Sequence, residues 1–129
     1  MPLYHTDDQA MLADTAKPFM AEEGSIAKQL RHWRDINCKD GFGHGLWKQF
    51  AEMGFTGMLA DEDDGGLGMG HVEAGIVLEE IGRNLAPSPF LTTGVVGVTA
   101  LKAADADTKA RWLPGIIAGD TVLGIAVDE

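Results

Sequence analysis

Between residues 71 and 85 the apolar side chains return every third or fourth position, a period that fits an amphipathic helix and no other regular element. Ala74, Leu78, Ile81 and Leu85 are expected on the inward face, and Glu79 and Arg83, four residues apart, are expected to pair on the wet side. The same period recurs along most of the chain. Thr6-Asp7-Asp8-Gln9 has the form of a capping box, which starts a helix whose stripe is Leu12, Ala16, Phe19 and Met20. Pro18 lacks an N–H and crowds the preceding turn, so a kink or break is expected near Lys17. Beyond Gly24, Ile26, Leu30 and Trp33 continue the pattern towards Asp35.

After a loop rich in glycine and polar residues, Leu46, Trp47, Phe50 and Ala51 share one face of a further helix, with Gly54 placed to cap it in the left-handed conformation. The stretch from Asp61 to Gly70 is too acidic and too glycine-rich for an element interior. Ala86-Pro87-Ser88-Pro89 stops the helix that follows, and another is predicted from Pro89 or Phe90 to Ala104, with Leu91, Val95, Val98 and Leu101 as its apolar positions. Gly94 and Gly97 cost it helix propensity but allow another surface close to its backbone. Asp105 or Asp107 caps a last helix through Leu113. The final run, Thr121-Val122-Leu123-Gly124-Ile125-Ala126-Val127, is β-branched and reads as a strand in need of a neighbour. The expected fold is therefore all-α, an up-down, bundle-like domain of about five helices over residues 1–120. A short β-like segment, 121–129, would then lead into a β-domain beyond it.

At 129 residues the chain suits one domain with its own core. Twenty acidic residues against ten basic ones give a net charge of -10, a surface that repels nucleic acid and anionic membrane. The single Cys38 cannot close an internal disulfide, and no apolar stretch resembles a signal peptide or a membrane span, so a reducing cytoplasm is the expected compartment.

Catalytic chemistry is hard to place on these residues. Gly66, Gly68 and Gly70 lack the preceding strand and the spacing of a dinucleotide fingerprint, and no P-loop lysine follows. His5, His32, His44 and His71 are scattered without metal-ligand spacing. Glu79 and Glu80 are adjacent, hence not on one helical face, and read as solvated residues rather than as a carboxylate pair. Phe90 with the small-residue face at Gly94 is the better candidate for lining an apolar slot.

Several stretches, in order, resemble the N-terminal helical domain of the acyl-CoA dehydrogenase family. They are Leu46-Trp47-Lys48-Gln49-Phe50-Ala51-Glu52-Met53-Gly54-Phe55, the turn Gly65-Gly66-Leu67-Gly68, Leu78-Glu79-Glu80-Ile81-Gly82-Arg83, Lys109-Ala110-Arg111-Trp112-Leu113-Pro114, Ile117-Ala118-Gly119-Asp120 and Ala126-Val127-Asp128-Glu129. The resemblance implies an FAD enzyme of three parts, in which a glutamate takes the α-proton of an acyl-CoA thioester and hydride passes to the flavin, leaving a 2,3-enoyl-CoA. An electron-transferring flavoprotein then reoxidises the flavin, and the enzyme assembles as a homo- or hetero-oligomer. It also implies that the catalytic glutamate and most groups gripping FAD lie beyond residue 129. This chain would contribute no catalytic residue and would be inactive alone.

What the resemblance assigns to this chain is one wall of the acyl pocket, at Phe90, Leu91, Thr93, Gly94 and Val95, and a flavin contact at Val127 and Asp128. Asp128 departs from the family's usual threonine, and a carboxylate cannot donate the hydrogen bond a hydroxyl would. The stretch 86–91 is also similar to bacterial members that act on bulky acyl-CoAs, including some from sterol breakdown. Two other readings stand beside the first: a non-catalytic subunit of a heteromeric dehydrogenase, and a helical interaction module.

Overall fold

The computed structural model describes residues 4–128 and is helical throughout its regular parts. Helix α1 is Asp7–Glu23. A π-helical turn, Ala27–Arg31, runs into the α-helical turn His32–Asp35, together α2. Helix α3 is His44–Glu52, and a 3-10 turn at Glu62–Asp64 precedes α4, His71–Arg83. The π-helical stretch Phe90–Gly97 continues as α-helix through Val98–Lys102, together α5, and α6 is Ala106–Ile117.

The ends of these helices follow from local chemistry. Thr6 Oγ1 accepts from the Gln9 N–H at 3.2 Å and the Thr6 N–H donates to Gln9 Oε1 at 3.0 Å, so the capping box forms as expected. Glu73 returns the same favour at α4, accepting from the Gly70 N–H at 2.9 Å. The two caps are joined, because Gln9 Nε2 donates to the other oxygen of Glu73 at 2.8 Å. Asp105 rather than Asp107 caps α6, accepting from the Thr108 N–H at 2.8 Å. Gly54 closes α3 at φ +81°, a conformation in which any Cβ would be strained. Of the kink or break expected near Lys17, the break does not occur, and α1 runs continuously through Pro18.

Helix α1 packs chiefly on α4, and α5 lies between α4 and α6. The core at their meeting is aromatic: Phe50 contacts Phe55 and Phe90 edge to face, with ring centres 5.7 and 6.1 Å apart, and Phe19 and Trp47 border the same cluster. Met20, Val77, Val98, Leu113 and Ile116 complete it. Each such buried side chain contributes roughly 1.5–3 kcal/mol of transfer free energy.

Four expectations are corrected. Among the described residues the bundle has six helices and no β-strand, so the β-like segment expected at 121–129 is not formed over 121–128. Residues 121–128 are irregular because no second extended backbone lies beside them, and β-branched composition favours a strand only where a ladder is available. Glu129 lies outside the described residues. Leu85, expected inward, is exposed, since α4 stops at Arg83 and Leu85 turns away at φ +50°. Glu80, read as solvated, is only 8% exposed and accepts from Arg83 Nε at 3.3 Å, while the Glu79–Arg83 pair forms at 2.8 Å.

Candidate functional site

Helix α5 is wound as a π-helix from Phe90 to Gly97, an uncommon winding found frequently at functional sites. Its residues divide sharply. Phe90, Thr93, Gly94 and Gly97 are buried, whereas Leu91 is 53% exposed, Val96 is exposed, and Thr92 and Val95 are half-buried. Phe90 points into the aromatic core against Phe50. Gly94 lies against that ring, where a Cβ would stand 3.2 Å from it. Thus the five expected wall residues are not one surface: Leu91 faces outward, Val95 is half-buried against the core, and Phe90, Thr93 and Gly94 lie within.

Thr93 takes part in a pairing that sequence reasoning missed. Its hydroxyl accepts from the Leu123 N–H at 2.9 Å and donates to the Leu123 carbonyl at 3.1 Å, across thirty positions of sequence. A hydroxyl beside Gly94 in a largely apolar helical stretch was the available signal, because buried polar groups find partners. The segment 121–128 is thereby laid beside α5. It carries exposed Val122 and Ile125 and, at 80% exposure, Val127, followed by exposed Asp128. Below this segment Lys48 Nζ donates to the Ala118 carbonyl at 3.1 Å and pairs with Asp120, holding the end of α6. Leu91 and Val95 on α5, with Val122, Ile125 and Val127 on the segment that Thr93 ties to it, make up the candidate apolar ledge.

Three open clefts, of about 380, 400 and 380 Å³, lie elsewhere. The first, between the acidic turn and α6, holds the Lys109–Asp64 pair at 3.4 Å. The second adjoins the start of α4 and the end of α5, at His71, Thr99 and Lys102. A third, shallower one is lined by Met11, Met53, Phe55 and Met69. Among the described residues no three His, Cys, Asp or Glu side chains come together to hold a metal ion, and no helix is long and apolar enough to cross a membrane.

Two carboxyls sit below their ordinary range. Glu73 is lowered first by the Gln9 hydrogen bond and then by backbone N–H groups at the α4 cap. Asp105 is lowered by its bonds to Thr108. Both belong to helix ends, far in role from acid–base chemistry, and the ledge itself offers apolar contact rather than proton transfer.

Comparison with known proteins places this arrangement. The pattern described as acyl-CoA dehydrogenase, N-terminal domain, matches residues 6–120. The acyl-CoA dehydrogenase IpdE2 of Mycobacterium tuberculosis is 33% identical over 124 residues, which is 95% of this chain and 37% of IpdE2. FadE12 of the same organism, also an acyl-CoA dehydrogenase, is 34% identical over 88 residues, 65% of this chain and 22% of FadE12. The chain therefore spans well under half the length of these relatives. Among solved structures, the ChsE4–ChsE5 complex from Mycobacterium tuberculosis superimposes with a TM-score of 0.70 at 23% identity, over 93% of this chain and 30% of that one, a likeness of fold. With the family pattern running through all six helices, the chain belongs to the acyl-CoA dehydrogenase family, as its N-terminal domain.

Proposed function

We propose that this chain, with residues 1–120 as its helical body and 121–129 as the entry to a β-domain, serves an FAD-dependent acyl-CoA dehydrogenase that converts an acyl-CoA to the 2,3-enoyl-CoA. Its own task is to wall the acyl chain. The observation that supports this reading is the Thr93–Leu123 bond pair, which ties α5, with its exposed Leu91 and half-buried Val95, to a segment whose Val122, Ile125 and Val127 are exposed. An acyl tail laid there removes apolar surface from water on both partners, worth about 0.8 kcal/mol for each methylene buried. Phe90 and Gly94 keep the ledge rigid from below, and Thr93 keeps its two halves together.

FAD, when bound, supplies the hydride acceptor. The residues present fit one edge of an isoalloxazine ring: the exposed apolar side chain of Val127 can pack on it, while Asp128 beside it brings an acceptor-only carboxylate. They do not fit a pyrophosphate, for which no strand–glycine loop–helix cradle exists among the described residues. Grip on the cofactor and the base that removes the α-proton belong to other parts of the enzyme, and an electron-transferring flavoprotein is the expected electron acceptor.

A second reading is favoured by Asp128 and by the likeness to a two-component complex: a subunit of a hetero-oligomer whose flavin is served chiefly by its partner. One experiment addresses both. The chain alone, given FAD, octanoyl-CoA and a redox dye, is expected to retain no flavin and reduce no dye. Fused to the β-domain and C-terminal bundle of a catalytic family member, it should retain flavin and reduce the dye, and Leu91→Asp should then raise KM for octanoyl-CoA on the order of tenfold. Dye reduction by the short chain, or an unchanged KM in Leu91→Asp, overturns the acyl-wall reading. Restored flavin with no turnover selects the non-catalytic subunit.

A further inference from the structure

The segment that follows α6 has no ladder to hold it, yet it is anchored at three successive points. The Asp120 and Thr121 N–H groups both donate to the Gly115 carbonyl, at 2.8 and 3.0 Å. The Thr121 side chain sits directly over the α-carbon of Gly115, and the Leu123 side chain over that of Gly97, where a Cβ would stand 2.9 Å from Leu123 Cδ1. Between these notches the buried Thr93 hydroxyl takes both the donor and the acceptor of Leu123. One side chain thus makes the pair of hydrogen bonds that a neighbouring strand would make. From Gly124 onward, among the described residues, no hydrogen bond ties the segment to the helices.

We propose that Thr93 is a positioning residue: it fixes where Leu123 lies on α5 and so sets the course and register of residues 124–128 relative to Leu91 and Val95. The coupling between the acyl-facing and flavin-facing halves of the ledge rests on the function proposed above, but the pinning itself does not. Because the bond pair addresses a single residue, a slip of one position would turn Leu123 away from the Gly97 notch and place Val122 or Gly124 there. The hydroxyl therefore selects which side chains of the segment face the ledge. A methyl group in its place would fill the same space and select nothing.

Amide hydrogen exchange on the chain, followed residue by residue, tests this without any ligand. Thr93→Val leaves the Leu123 N–H without its acceptor and should speed its exchange on the order of tenfold, the factor carried by one net hydrogen bond, while amides inside α3 and α4 keep their rates. Thr93→Ser retains the hydroxyl and should restore slow exchange at Leu123. Gly97→Ala leaves Thr93 intact but fills the notch, and should speed Leu123 exchange by a similar factor, so it decides the matter if Thr93→Val fails to fold. An unchanged Leu123 rate in a folded Thr93→Val or Gly97→Ala protein overturns the proposal. So does a fast rate in Thr93→Ser, which would mean that packing at the γ-methyl matters and the hydroxyl's bonds do not. Loss of acyl-CoA oxidation in a chimera with these rates intact would instead count against the function alone.

Discussion

Phe90 and Leu91 are neighbours in sequence with opposite duties, and truncating each to alanine separates them. Phe90 is fully buried, packs edge to face on Phe50 and lies under Gly94, so Phe90→Ala loses the transfer energy of the ring, its aromatic contacts and the cavity left in a rigid core. Such losses total about 3–5 kcal/mol. A domain of this size unfolds with roughly 0.27 kcal/mol/K of entropy at about 2.1 cal/mol/K per residue, so the midpoint should fall by about 11–18 °C. Leu91 is half-exposed and should cost under about 1 kcal/mol, or less than about 4 °C. Thermal melts by far-ultraviolet circular dichroism, paired with urea unfolding followed by the three tryptophans, give both numbers. Equal losses in the two variants would refute the division of α5 into a supporting face and an outward face. A small loss at Phe90 would refute the claim that the core cannot collapse around it.

Other outcomes follow from the helix ends and the buried carboxylate. The folded-state pKa of Glu73 lies below its unfolded value, so its contribution is present above the ordinary carboxylate range and is lost as pH falls through the depressed folded value. Glu73→Gln should therefore lower the urea midpoint at pH 6 and narrow its gap to wild type by pH 3; a gap independent of pH would remove the carboxylate's charge from the account. Asp105, depressed in the same direction by Thr108, should behave alike, and Asp105→Ala should lower the melting temperature at pH 6 by more than it does at acid pH, where the carboxylate's charge is lost. Glu80 leaves its Oε2 buried without a partner, and Arg83 keeps Glu79. Replacing it by Met should be neutral or stabilising by about 1 kcal/mol, and a loss of more than about 2 kcal/mol would show that the Glu80–Arg83 bond outweighs its desolvation.

How far the sequence disclosed this structure depended on the range of the interaction concerned. Thr6 with Gln9, Gly54 and Asp105 act within a few residues of themselves, and each was readable. Glu80 stands three residues beyond Val77, so its spacing already placed it on the inner face, and only its charge disguised that. A kink or break was expected near Lys17, but α1, packed on α4, runs through Pro18 without a break. The segment 121–128 failed as a strand because strand formation needs a partner that local composition cannot report. For the ledge, Leu91 and Val95 were visible as apolar positions, whereas the π-winding of α5 and the grip of Thr93 on Leu123 depend on residues far away in the chain.

The link between Gln9 and Glu73 ties the starts of α1 and α4 into one chain of bonds, from the Thr6 N–H to the Gly70 N–H. Unravelling either helix from that end breaks the one bond through which its cap side chain holds that of the other. Fraying, which ordinarily runs independently at each terminus, is here coupled between the two starts, and the N-terminal turns of α1 and α4 should open and close together.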